Sequence, residues 1–273
     1  MKRYRIFGVD FDTRASVLKT PEDCWEEKIK QQHLSNRNQM INQLKVQYGD
    51  RDIENKINNF IELKSKPFSV IAFHNKFLEQ VRNAYVIGSY YPALTGASAL
   101  GERILNHMII LLRDYHKNDA RYKRVYKKKS FDDWNTAIDL LESWDDLLIE
   151  AAQKFRDLHT IRNNSLHFTR EIDSDDKNFS ISAIHKIQEI IDIQFGFSCK
   201  QPWYLWIPGE IYLKKEWEKK PFVKEVIIPN SLLVGPNHYV ESLRPHYQIN
   251  DNFIYENKEI SDEEFIQLRK NRN

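Results

Sequence analysis

The chain has 273 residues, 41% of them apolar, enough to bury a sizeable core as one main domain with an appendage or as two smaller domains. Its 41 basic and 39 acidic residues leave a formal charge of +2, so overall charge neither demands nor excludes a nucleic-acid partner and local clustering has to decide. Two distant cysteines, Cys24 and Cys199, argue against a disulfide framework or a zinc site, and neither a signal-peptide core nor a run of roughly 18 apolar residues occurs, so a reducing, cytoplasmic setting with no membrane partner is expected.

Residues 3–18 are aromatic and β-branched enough to predict one or two strands or an extended arm. Thr20-Pro21-Glu22-Asp23 reads as a helix start with Thr20 as N-cap. From there to about Lys64 the chain is polar, and sparse apolar positions such as Ile41, Leu44, Ile53, Ile57 and Ile61 predict surface helices with a narrow stripe. Between Phe68 and Ser89, the spacing of Val70, Ile71, Phe73, Phe77, Leu78, Val81 and Tyr85 predicts a helix. A second is predicted from about Pro92 to Tyr115, with Leu94, Ala97, Leu100, Ile104, Leu105, Met108, Leu111 and Leu112 on one broad face. The short link between the two makes them an antiparallel hairpin.

The segment Lys117 to Lys129 is basic and weakly periodic, a loop with about one turn of helix. Ser130-Phe131-Asp132-Asp133 suits the cap and first turn of a helix running through about Trp144, because acids favour the positive end of a helix. Another helix follows from Asp145 or Asp146, and a further one spans about Asp176 to Gln194 on a stripe of Ile181, Ile184, Ile187, Ile190 and Ile191. After Phe197, short β-prone runs broken by Pro and Gly, among them Pro221 to Pro229, predict a small strand-rich appendage ending in a short charged helix or tail at 261–273. The expected fold class is mainly α: residues 1–66 as a strand or arm with polar helices, 67–195 as an antiparallel helical bundle, and 196–273 as a small β-containing C-terminal appendage.

One helix in this layout is interrupted. Its inward positions run Leu148, Ala151, Phe155 and Leu158 in steps of three and four, and the next steps land on Arg162 and Ser165. Burying an unpaired guanidinium is costly, so Arg162 must face a partner anion, a water-filled cleft or a subunit interface. His167 lies about 140° further around an unbroken helix, and Asn163, four residues before it, shares its face and is within reach to orient it. Arg162 and His167 converge only if Asn163-Asn164-Ser165 marks a bend or if two copies of the helix meet across a dimer axis.

Arg162-Asn163-Asn164-Ser165-Leu166-His167 resembles the Arg, polar residue, three residues, His motif of HEPN domains (higher eukaryotes and prokaryotes nucleotide-binding). The layout of residues 67–195 is similar as well, since those domains are helical bundles with a hairpin of two long helices and the motif on a later one. The resemblance implies a HEPN-like bundle, a homodimer that brings two Arg and two His side chains around one cleft, and metal-independent endoribonuclease activity with no cofactor. It implies a bacterial toxin or antiphage defence effector, with RNA as substrate and an antitoxin or trigger protein as a further partner. In that reading His167 takes the proton of a ribose 2′-hydroxyl as it attacks the adjacent phosphorus. Arg162 steadies the phosphate charge, and Asn163 holds the ring or a phosphate oxygen. The implied ends are a 2′,3′-cyclic phosphate and a 5′-hydroxyl, and DNA is refractory. The alternative is a non-catalytic HEPN-like module that binds a nucleotide, RNA or protein, with Arg162 and His167 building the dimer interface. A purely structural helical protein would instead neutralise Arg162 with an acid such as Glu102.

Other candidates follow from local composition. Arg121, Lys123, Arg124, Lys127, Lys128 and Lys129, with Tyr126 among them, suit an RNA backbone and a stacked base. Glu102 is a candidate cleft acid or partner for Arg162. Ile6 to Thr13 resembles the first motif of haloacid-dehalogenase-type phosphatases, but Thr13 directly follows Asp12, and the alternating strands and helices that such a fold needs do not follow. His74, His107, His116 and His159 show no metal-type spacing, and no metal is expected.

Overall fold

A computed structural model describes residues 4–5, 12–129, 133–166, 175–196, 201–207, 210–230, 232–233, 239–242, 248–250 and 261–270 of the chain. They fall into two units, Val9–Phe197 and a second made of Met1–Gly8 with Ser198–Asn273. The protein is mainly helical, and its larger unit is a helical bundle.

The bundle opens with a difference from the sequence expectation. In place of an extended arm, α1 (Arg14–Val17) is a helical turn. The Asp12 carboxylate accepts both the Arg14 backbone N–H at 3.0 Å and its guanidinium at 2.8 Å, which closes the turn locally. Thr20 caps nothing, because α2 (Glu27–Tyr48) begins seven residues later. The loop between them gives its carbonyls to one face of α2: Lys30 donates to Asp23 O at 2.9 Å, His33 to Lys19 O at 2.8 Å and Arg37 to Leu18 O at 3.0 Å. Donors three and four residues apart align on that face, so tertiary contact replaces the expected cap. Next comes α3 (Ile53–Glu62), which buries Ile57 and Phe60.

The hairpin of long helices is α4 (Ala72–Val86) and α5 (Tyr90–Leu112). Because the Asn75 side chain binds the Ser69 backbone at both N–H (2.9 Å) and carbonyl (2.8 Å), the chain turns sharply before α4, which therefore starts after Phe68. Gly88, at φ +83°, takes the left-handed conformation that lets the link be short. Pro92 sits in the first turn of α5, where a missing N–H leaves no bond unmade. Central to the bundle, α5 packs on α4 and on three helices that follow, burying Leu94, Ile104, Leu105 and Met108 almost completely.

Those three are α6 (Trp134–Ser143), α7 (Ile149–Leu166) and α8 (Asp176–Ile190). Asp133 caps α6 by accepting the Thr136 N–H at 3.1 Å, and Asp175 caps α8 by accepting that of Asn178 at 3.2 Å. Helix α8 runs on into a wider π turn, Ile191–Phe195, whose last carbonyl accepts the Val70 N–H at 3.0 Å. The helices approach one another closely at Gly101. A Cβ there would stand 2.8 Å from both Leu158 Cδ2 on α7 and Trp134 Cη2 on α6, so any larger residue would force one of them to move.

In the smaller unit the strands are short. β1 (Tyr4–Arg5) pairs antiparallel with β4 (Leu232–Leu233), β2 (Tyr204–Ile207) with β3 (Glu210–Leu213), and β5 (Tyr239–Ser242) with β6 (Gln248–Asn250). The expected strand within Pro221–Pro229 is helical instead, as consecutive turns Val223–Ile227 and Ile228–Asn230. Phe222, Val223, Val226 and Ile227 are all buried, and their spacing of one, three and one residues gathers them on one side of a helical turn. Trp203 packs beside them, 5.1 Å from the Phe222 ring. The unit ends in α9 (Asp262–Lys270), where Ser261 and Glu264 form a reciprocal capping box at 3.1 and 2.9 Å.

His74, near the start of α4, is 1% exposed, with Nδ1 2.8 Å from Ser69 Oγ and the Phe195 ring 4.6 Å away. Burial pushes its imidazole down to about 3. The folded protein thus holds it neutral while the unfolded chain takes up a proton near about 6.5, and stability falls as pH drops below that value. His107 and His185 are also lowered by burial and add in the same direction. Urea midpoints are expected to be lower at about pH 5 than at about pH 7, with a smaller difference in His74→Gln, which cannot be protonated.

Candidate functional site

The buried stripe of α7 carries Ala151, Phe155 and Leu158, each 0% exposed, and then opens at Arg162, whose side chain is 27% exposed. One turn beyond the Gly101 contact, Arg162 reaches across to α5 and α6. Its Nη2 lies 3.5 Å from Glu102 Oε2, and its guanidinium carbon lies 5.9 Å from the centre of the Trp134 ring. Trp134 donates its indole N–H to the same Glu102 oxygen at 3.4 Å. Of the settings expected for Arg162, the structure therefore shows a partner anion.

That pair is loose. At 3.5 Å it lies outside the range of short charge-assisted hydrogen bonds, and the Glu102 side chain is 38% exposed. The face below is firmer: Trp134 is 1% exposed and stacks on His159, with ring centres 5.4 Å apart and planes inclined by 15°. Asn163 points its Nδ2 at His159 Nε2, 3.1 Å away. Ser165 donates back to the Ile161 carbonyl at 2.6 Å, a bond that loosens the last turn of a helix. His167 lies outside the described residues, as do residues 168–174.

The structure thus brings Glu102, Arg162 and Asn163 together, and adds Trp134 and His159, which the sequence reading did not select. His159 stands three residues before Arg162 and four before Asn163, a spacing that places it beside both. Trp134 carries no such signal, since it joins the group only through the approach of α5 to α6. Two clefts, one of about 330 Å³ lined by Lys64, Lys66, His185 and Gln188 and one of about 320 Å³ between α4 and α5, do not include Arg162.

The basic segment lies elsewhere. It leaves the C-terminal end of α5, roughly 16 Å along the axis from Glu102 at about 1.5 Å per residue. Its single short turn, Ala120–Arg124, matches the expected loop with one turn. Arg121 is engaged by Asp119 at 2.8 Å and by Ser143 Oγ at 2.6 Å. Lys123, Arg124, Lys127, Lys128 and Lys129 are exposed, as is Tyr126 at 41%. Asp12, in the segment that resembles a phosphatase motif, is committed to Arg14, whose hydrogen bonds hold its carboxyl below the usual range against the opposing effect of burial. Among the described residues no group of His, Cys, Asp and Glu is arranged to hold a metal, and no helix is long and apolar enough to cross a membrane.

Fold and site together define a mainly helical bundle that presents an arginine from one helix against a glutamate and a tryptophan from its neighbours, with an asparagine beside it bonded to a histidine of its own helix. Compared with known protein families, with curated proteins and with solved structures, the chain matches none of them.

A pair this exposed and this long contributes little to folding. A double-mutant cycle on Glu102 and Arg162, read by denaturant unfolding, is expected to give a coupling of about 0.2–1 kcal/mol. Trp134→Ala, by contrast, is expected to cost about 3–5 kcal/mol.

Proposed function

We propose that the protein is a metal-independent endoribonuclease of HEPN type that cleaves RNA at a site built on Arg162, Asn163 and His167. The observation that carries this reading is the loose hold on Arg162. The Trp134 ring and one long carboxylate contact orient the guanidinium without consuming it, so it can exchange Glu102 for a phosphate. His167 removes the proton from a ribose 2′-hydroxyl, whose oxygen attacks the adjacent phosphorus. Negative charge grows on the phosphoryl oxygens, where Arg162 stabilises it. The bond to the 5′-oxygen breaks, that oxygen leaves as a hydroxyl on taking a proton, and a 2′,3′-cyclic phosphate remains. Two copies of the chain share the cleft, and the protein serves in the cytoplasm as a bacterial toxin or antiphage effector governed by an antitoxin or trigger protein.

A second reading is a non-catalytic module in which Arg162 and His167 serve an interface. Glu102 favours it, because the chain already supplies Arg162 with a counter-charge.

The test is incubation of the purified protein with a mixed RNA pool in excess EDTA, beside a DNA control. RNA cleavage leaving cyclic phosphate ends is expected, with DNA untouched. Arg162→Ala and His167→Ala are each expected to lower the rate by about 100-fold or more, whereas Glu102→Gln keeps it, since the carboxylate only parks the arginine. Cleavage that survives unchanged in His167→Ala would remove the proposed site.

A further inference from the structure

Between residues 117 and 129 the chain places seven cations and one acid. Like charges so close repel one another, and a free loop would relax by spreading them. Here the backbone is fastened from beneath. Val125 is 1% exposed, and Arg113 donates to the carbonyls of Val125 and Lys128, both at 2.6 Å. Asp119 accepts the Arg121 N–H at 2.8 Å and so caps the short turn. The Trp144 indole holds the other oxygen of Asp119 at 2.8 Å. Trp144 stacks on His116 with ring centres 4.5 Å apart and planes 4° from parallel. His116 Nε2 in turn meets Oδ2 of the buried Asp146 at 2.7 Å. A continuous chain of contacts therefore runs from the core at Asp146 to the turn at Asp119, and Arg113 and Arg121 act as struts rather than as ligand contacts.

The remaining cations point outward on this fixed frame. Lys123, Arg124, Lys127 and Lys129 are exposed and form no ion pair with any described residue. The two tyrosines differ in the same way: Tyr122 is anchored by its hydroxyl to Asp114 at 2.6 Å, while Tyr126, 5.6 Å from it, offers its ring to solvent beside Lys127 Nζ at 5.2 Å. Exposed cations carried on a fastened backbone together with an exposed aromatic ring are the combination that binds single-stranded nucleic acid, with the cations following the phosphates and the ring stacking a base.

We infer that Lys123, Arg124, Lys127 and Lys129 with Tyr126 form a preformed platform for single-stranded RNA. The inference deepens the ribonuclease reading and rests on it for the choice of RNA among polyanions. A duplex is disfavoured, because its bases are stacked and cannot reach Tyr126.

The test is fluorescence anisotropy of the full chain with a labelled 2′-O-methyl oligouridylate, which lacks the attacking hydroxyl, at low salt. Lys123→Glu/Arg124→Glu/Lys127→Glu is expected to weaken binding by at least about tenfold and to flatten the salt dependence by about 0.7 per lost phosphate contact. Tyr126→Ala is expected to weaken it roughly tenfold, and Lys28→Glu on α2 to leave it unchanged. All these side chains are exposed, and unchanged thermal melting confirms that each variant folds. No binding by the natural chain, equal binding by the triple variant, or preference for a duplex or an acidic polypeptide would each overturn the platform. Tight, Tyr126-dependent binding together with cleavage that survives unchanged in His167→Ala would uphold the platform and sink the proposed catalytic site alone.

Discussion

At Gly101 the central helix comes so near to Trp134 and Leu158 that one added carbon would collide with both. The meeting of Trp134, Glu102 and Arg162 follows from that approach. It presses the Trp134 ring between α5 and α7, where it stacks on His159 and has the Arg162 guanidinium over it at 5.9 Å. Glu102, the next residue along α5, is turned by about 100° out of the contact and so lies at the rim within reach of Arg162. Among the described residues of α7, Leu158 is the last that is fully buried, and the helix is partly exposed one turn later at Arg162.

Arginines in this bundle serve three physically different purposes. Arg82 is 3% exposed and donates to the carbonyls of Leu63 and Lys64 and to the Gln188 side chain, so it ties α4 to the end of α3 and to α8. Burial lowers its pKa, with Asp12 and Glu79 opposing that shift, and its donors are spent on neutral acceptors. Arg121 is a surface strut fixed to one carboxylate. Arg162 is neither buried nor firmly paired, so its ion pair adds little to the stability of the bundle.

The long helices were legible because their apolar residues recur at helical spacing, whereas the helix start read across Ser130 to Asp133 falls in the structure at Asp133, which is the cap and not part of the first turn. The break at Arg162 was legible for the same reason, as the place where the pattern fails. What escaped depends on contacts between distant residues. Thr20 has the chemistry of a cap, but donors from α2 take up the carbonyls around it. The run from Phe222 to Ile228 is rich in β-branched residues, which suit strands, yet its buried positions obey a helical period. Asn163 has a histidine four residues away in both directions, so spacing alone leaves its partner open, and the described bond goes backwards to His159. Trp134 entered the site through the closeness of two helices, which no single stretch of sequence records.

Whether Arg162 exchanges Glu102 for a phosphate is read most directly by nitrogen-detected NMR of the Arg162 side chain and the Trp134 indole during titration with a 2′-O-methyl oligoribonucleotide. Exchange predicts that both resonances move together and saturate with the binding curve, since the Glu102 oxygen that both donors share is left to the indole alone when the guanidinium turns away. Saturated binding with both resonances unmoved would show that Arg162 stays with Glu102 and takes no part in holding RNA.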